Sequence, residues 1–113
     1  MNAFDVLGDP VRRRILELLA DGEMSSGGVV DVVSTKFGIS QAAVSQHLKV
    51  LRESGFASVT AQGTRRLYKV ETSGFEQVDA WLGRFRGFWE THLDALGKEI
   101  ERGKQSRKEE KPK

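Results

Sequence analysis

Residues 40–55 read Ser40-Gln41-Ala42-Ala43-Val44-Ser45-Gln46-His47-Leu48-Lys49-Val50-Leu51-Arg52-Glu53-Ser54-Gly55. How this stretch folds decides the architecture. Ser40 is a good N-cap, because its hydroxyl can accept a hydrogen bond from an orphan amide of the first turn. Val44, Leu48 and Leu51 follow at spacings of four and three, one apolar helical face. Gly55 suits the left-handed position just past a helix. The pattern predicts a helix over Gln41–Ser54. Its other side carries Gln41, Ala42, Ser45, Gln46, Lys49 and Arg52. Such a face fits the DNA major groove. Gln can bond both edge groups of adenine, Ser a base or a phosphate, and Ala can touch a thymine methyl. Lys49 and Arg52, further along, can reach the backbone. Alone, the same face would equally suit a solvated surface helix.

The neighbouring segments narrow the choice. Upstream, Val29, Val33 and Phe37 lie four apart, which places a valine-rich segment on one helical face despite its strand propensity. Ser25 or Ser26 can cap it and Gly38 ends it. Two capped helices joined by a short turn form a helix-turn-helix pattern. Before them, Asp9-Pro10 opens a helix with an N-cap and a first-position proline. Val11, Ile15, Leu18 and Leu19 form its apolar face, with Arg12, Arg13 and Arg14 mostly elsewhere. Asp21-Gly22 stops it, and Ala3–Leu7 reads as a small first helix. Downstream, Ala57–Val70 contains two runs of strand formers around Gln62-Gly63-Thr64, a β-hairpin whose far side carries Arg65, Arg66 and Lys69. Arg at the tip of such a ribbon can reach phosphates or a minor groove. The last element, Gly74–Glu101, carries Phe75, Val78, Leu82, Phe85, Trp89, Leu93, Leu96 and Ile100 at steps of three and four, widened by Trp81 and Phe88. As one helix it would span roughly 42 Å, more than so small a core can cover.

The chain of 113 residues contains 38 % hydrophobic and 30 % charged residues, which suits a globular domain with a modest core. It has no run of about 18 apolar residues and no signal-peptide pattern, so a cytoplasmic location is expected. Without cysteine, neither a disulfide framework nor a thiolate metal site can form. The net charge of +2 is unevenly placed. Residues 102–113 hold six basic and two acidic groups, leaving twelve basic against fourteen acidic in the remaining 101. The expected organisation is one domain over residues 1–101 and a disordered basic tail over 102–113. Any cationic surface on the domain must be concentrated on one side.

The recognition-type segment from Ser40 to Leu51, with Ser54-Gly55-Phe56-Ala57 after it, resembles the recognition helix of ArsR/SmtB-type winged helix-turn-helix repressors. Leu7-Gly8-Asp9-Pro10-Val11-Arg12-Arg13-Arg14-Ile15-Leu16 is similar to that family's second-helix motif, and Gly63-Thr64-Arg65-Arg66-Leu67-Tyr68 to its wing. The three agree in order and spacing over roughly residues 4–100. The resemblance implies a mainly α fold with a β-hairpin wing, ordered α-α-α-α-β-β-α. It also implies a homodimeric repressor or autorepressor on an inverted-repeat operator of double-stranded DNA. The DNA-contacting set is then Ser40, Gln41, Ala42, Ser45, Gln46, His47, Lys49, Arg52, Arg65 and Arg66. Dimerisation through the first and last helices falls to Phe4, Leu7, Phe75, Val78, Leu82, Phe85, Trp89 and Leu93.

Two departures stand out. The stretch between Met24 and Gly38 is about four residues longer than the family pattern, about one helical turn. The family's metal-sensing positions are also not reproduced. Aligned on Tyr68, they fall near Thr72, Gly74, Phe85 and Phe88, none a usable ligand. His92 is isolated on the last helix, short of the three or four ligands a Zn site needs. His47 lies inside the recognition motif, where a structural or phosphate-contacting role is expected. No metal, cofactor or catalytic residue is expected, because no phosphate loop, paired histidines or nucleophile elbow is present. The competing reading is a winged-helix protein-interaction module with weak or no DNA binding. A small-molecule inducer held by Trp81, Phe85, Phe88 and Trp89 is compatible with the repressor reading, although such stripes more often pack as dimer core.

Overall fold

The computed structural model describes residues 1–97. Its order is α1 (Ala3–Leu7), α2 (Pro10–Ala20), β1 (Met24–Ser25), α3 (Ser26–Phe37), α4 (Gln41–Glu53), β2 (Ala57–Gln62), β3 (Arg65–Val70) and α5 (Ser73–Gly83). This is the mainly helical fold with a hairpin wing that the sequence pattern implies. Contacts group the chain into two units, Met1–Asp79 and the residues from Ala80 onward. The expected tail, residues 102–113, lies outside the described residues, as do Ile100 and Glu101 of the expected last helix.

Within the first unit the helix starts are built by side chains that satisfy orphan amides. The Asn2 side chain accepts from the Asp5 amide while Asp5 reaches back to the Asn2 amide, a capping box. The Asp9 carboxylate accepts from the Val11 and Arg12 amides, Ser25 Oγ from Gly28 and Ser40 Oγ from Ala43. At Gly38, φ is 64°, a left-handed cap that turns the chain from α3 into α4 at little steric cost. The core beneath is formed by Val6, Ile15, Leu19, Val29, Val33, Val44, Leu48, Leu51 and Phe56, all buried. The valine-rich segment is therefore a helix, its Val29 and Val33 taken by the core.

The sheet is antiparallel in the order β1-β3-β2. β1 escaped the sequence reading, since a strand of two residues carries no periodicity. It forms because Met24 and Ser25 pair with Tyr68 and Leu67. The pleat also corrects the expectation that Arg65, Arg66 and Lys69 share the far side of the hairpin. Successive strand residues face opposite ways. Arg66 pairs with Ala61 and continues the face of buried Tyr68, whereas Arg65 and Lys69 lie on the other face.

A second correction concerns Arg12, expected off the core face. It is only 9 % exposed. Its Nε donates to the Val6 carbonyl at 2.8 Å and one terminal nitrogen to the Asp5 carbonyl at 2.9 Å. Arg13 donates to the Leu7 carbonyl at 2.7 Å. The Val6 and Leu7 carbonyls at the end of α1, and the Asp5 carbonyl that also accepts the Gly8 amide, are thus taken by two arginines of α2.

The expected single helix from Gly74 to Glu101 is also corrected. α5 ends at Gly83, residues 84–85 form a turn, and helix resumes over residues 86–97. The Arg84 and Phe85 amides donate to Trp81 and Leu82, three residues back, instead of continuing the four-residue ladder. Glycine at 83 weakens the helix at this point. In the second unit, Trp81 and Phe85 pack at 4.9 Å and Phe88 stacks on His92.

Candidate nucleic-acid interface

α4 is held from below by Val44, Leu48 and Leu51 and capped by Ser40. At about 100° per residue, Ala42, Ser45, Gln46 and Lys49 form one continuous exposed patch opposite that apolar stripe. Gln41 lies at one edge and is exposed; Arg52 shares that edge but is half-buried. His47 lies on the opposite flank, about 100° round from Gln46 and beside the apolar stripe, also half-buried, with Nδ1 3.4 Å from an Arg12 nitrogen. The ten expected DNA-contacting residues are therefore not one uniform surface. Ser40, Gln41, Ala42, Ser45, Gln46 and Lys49 are exposed on or beside α4, and Arg65 and Arg66 are exposed at the wing tip. Arg52 and His47 are flanks.

The wing is rooted firmly. The Glu71 amide donates to the Phe56 carbonyl at 2.9 Å, and the Gly74 amide to the Gly55 carbonyl at 2.7 Å. Ser73 Oγ bonds that same carbonyl at 3.1 Å. The end of β3 and the start of α5 are thereby tied to the turn that follows α4. Gly55 has φ of 77°, as the left-handed position after α4 requires. The exposed tip beyond this root carries Gly63, Thr64, Arg65 and Arg66.

A helix-turn-helix whose exposed second helix is polar and whose hairpin ends in two arginines is the geometry of a winged nucleic-acid-binding domain. Residues 9–59, from the cap of α2 into β2, match the family model described as bacterial regulatory protein, arsR family. Over 84 residues the chain is 31 % identical to the transcriptional repressor SdpR of Bacillus subtilis (strain 168), covering 74 % of this chain and 89 % of that one. The chain belongs to the ArsR family of bacterial regulatory proteins. A second relative, the HTH-type transcriptional regulator Rv2034 of Mycobacterium tuberculosis (strain ATCC 25618 / H37Rv), is 36 % identical over 83 residues, 74 % of each chain. The crystal structure of the ArsR family transcriptional regulator RHA00566 superposes with a TM-score of 0.65 at 28 % identity, over 78 % of this chain and 87 % of that one.

Among the residues expected at an ArsR dimer contact, Leu7 and Phe75 line a hollow of about 350 Å³ with Arg13, Leu16, Glu17 and Ala20. Leu16 and Ala20 were not legible as part of it, because α1 and the start of α5 are brought together only by the fold. Phe4 is exposed, while Val78 is half-buried against the core. In the second unit, Leu82, Phe85 and Trp89 line a hollow of about 230 Å³ with Trp81 and Phe88. Phe88 is 72 % exposed and Leu93 57 %. No group of three or more His, Asp or Glu that could hold a metal is found among the described residues. No helix among them is long and apolar enough to cross a membrane.

Proposed function

We propose that this chain is a transcriptional repressor that binds an inverted-repeat operator of double-stranded DNA as a homodimer in the cytoplasm. The observation that carries the reading is the exposed Ala42, Ser45, Gln46 and Lys49 patch on a capped, core-anchored helix beside a wing ending in Arg65 and Arg66. Gln41, Ser45 and Gln46 meet base edges, with Ala42 against a thymine methyl. Ser40, His47, Lys49, Arg52, Arg65 and Arg66 meet the backbone or the minor groove. Dimerisation uses Phe4, Leu7, Phe75, Val78, Leu82, Phe85, Trp89 and Leu93. The support is the amount of apolar side chain left exposed from Phe75 to Leu96, since exposed patches of this kind mark interfaces. A twofold dimer is the common closed solution.

The hollow among Trp81, Leu82, Phe85, Phe88 and Trp89 supports a further role for this aromatic cluster, holding a small apolar inducer. Footprinting on the DNA upstream of the protein's own gene, with sedimentation at micromolar concentration, tests the main reading. A protected inverted repeat and a mass twice the 12.6 kDa of one chain are the expected results. No protection on any duplex would refute DNA binding and favour the protein-interaction reading.

A further inference from the structure

Arg12 is the charged side chain most deeply buried among the described residues, and its contacts join two elements that the DNA-binding reading treats separately. One side of its guanidinium takes the Val6 and Asp5 carbonyls at the end of α1. The other side approaches Nδ1 of His47 on α4 at 3.4 Å. The Asp9 carboxylate, which caps α2, lies 3.9 Å from that same terminal nitrogen. A guanidinium can only donate. For the Arg12 contact to be a hydrogen bond, Nδ1 of His47 must be the acceptor, and the proton of the neutral ring must then sit on Nε2. Among the described residues Nε2 has no hydrogen-bond partner, and it is not one of the buried unpartnered atoms, so it reaches solvent. It does so on the flank of α4, between the exposed patch and the buried stripe.

We infer that Arg12 is a positioning residue for DNA recognition: by donating to Nδ1 of His47 it selects the Nε2–H tautomer, holds the ring, and so presents an N–H from α4 to a backbone phosphate. The same guanidinium fixes α4 against the end of α1. This deepens the DNA-binding reading and rests on it. The phosphate is the occupant the chemistry selects, because a fixed neutral N–H is a donor without an acceptor, and backbone oxygens are the acceptors a groove-bound helix meets at its flank.

The test has two arms. The first needs no DNA. Long-range ¹H–¹⁵N spectra of the free full-length protein should show His47 with protonated Nε2 and unprotonated Nδ1. In Arg12→Lys the two nitrogens should move toward the averaged shifts of a ring exchanging between tautomers. A wild-type ring protonated on Nδ1, or a ring indifferent to Arg12→Lys, overturns the assignment.

The second arm measures affinity by anisotropy for a duplex selected from a random library by the wild-type protein, and for a random-sequence duplex. His47→Asn keeps an acceptor oxygen near the Nδ1 position but has no Nε2–H. It should bind both duplexes about fivefold more weakly, with a melting temperature close to wild type. Arg12→Lys should lower the melting temperature and, measured where it is fully folded, weaken binding about tenfold. Most of that tenfold loss should disappear in the His47→Asn background. Additive losses in affinity would reduce Arg12 to a structural role and refute the inference. If Arg12→Lys does not fold, unchanged binding by His47→Asn refutes it instead. A wild-type protein that selects no duplex refutes the DNA reading and the recognition role together. The tautomer assignment would still be judged by the spectra.

Discussion

Gly74 stands in the first turn of α5, and replacing it by alanine should destabilise the fold, against the rule that Ala is the better helix former. An added Cβ would lie 2.7 Å from Cδ2 of Phe56 and 2.8 Å from its Cε2 and Cγ, where ordinary contact is 3.4–4 Å. The ring has nowhere to retreat. It is fully buried and packs edge-on against Phe75 at 4.9 Å. Nor can the first turn of α5 easily withdraw, because the Gly74 amide is held by the Gly55 carbonyl at 2.7 Å and Ser73 bonds the same oxygen. Overpacking of this kind costs about 1–3 kcal/mol. The helix-propensity gain of Ala over Gly is about 1 kcal/mol in a helix interior and smaller in the first turn. The net loss should be about 1–2 kcal/mol. For a domain of this size each kcal/mol moves Tm by about 4–8 °C, so thermal unfolding followed by circular dichroism should show a fall of about 4–16 °C. Gly27→Ala is the control. It lies near the start of α3 with nothing within 4 Å of the added carbon, and should leave Tm unchanged or raise it. A Gly74→Ala protein as stable as wild type would refute the packing argument.

On the DNA side, Gln46→Ala should cost roughly 1–3 kcal/mol on the operator and relax preference at one base pair per half-site. Arg65→Ala should weaken operator and scrambled duplex alike, and lower the log–log salt slope by about one per protomer. Salt titrations on both duplexes separate the two, and identical behaviour would refute the division between helix and wing. Trp89→Asp should convert the dimer to monomers in sedimentation and weaken operator binding; a dimeric variant would remove Trp89 from the interface. Burial pushes the Asp9 carboxyl up, but hydrogen bonds from the Arg12 and Val11 amides and the positive charge beside it leave it below its ordinary value. A carboxyl lowered by folding contributes stability that is complete above its unfolded pKa, about 3.9, and is lost as pH falls through the folded value. The stability gap between wild type and Asp9→Asn, measured by urea unfolding, should therefore be largest at neutral pH and close below about pH 4. A gap that widens in acid would refute the sign.

Much of this molecule is written locally. Asp9-Pro10, Ser25, Ser40, Gly38 and Gly55 begin and end helices through hydrogen bonds and backbone freedom that involve only near neighbours, so their residue types alone announce the helix boundaries. Val44, Leu48 and Leu51 define the buried side of α4 by spacing, and Gln41, Ala42, Ser45, Gln46 and Lys49 follow as its outer side. Tertiary structure decided the rest, because it depends on which groups distant segments bring together. β1 exists because Met24 and Ser25 meet Tyr68 and Leu67, more than forty residues later. The pleat, not the charge pattern, put Arg65 and Arg66 on opposite faces of the wing. The last apolar stripe keeps helical spacing through Phe85, yet the backbone breaks at Gly83, where a missing side chain outweighed the periodicity. Arg12 reads as one more surface cation in a basic run. Only the arrival of the α1 carbonyls and of His47 around it makes its burial affordable, since a buried guanidinium must find acceptors.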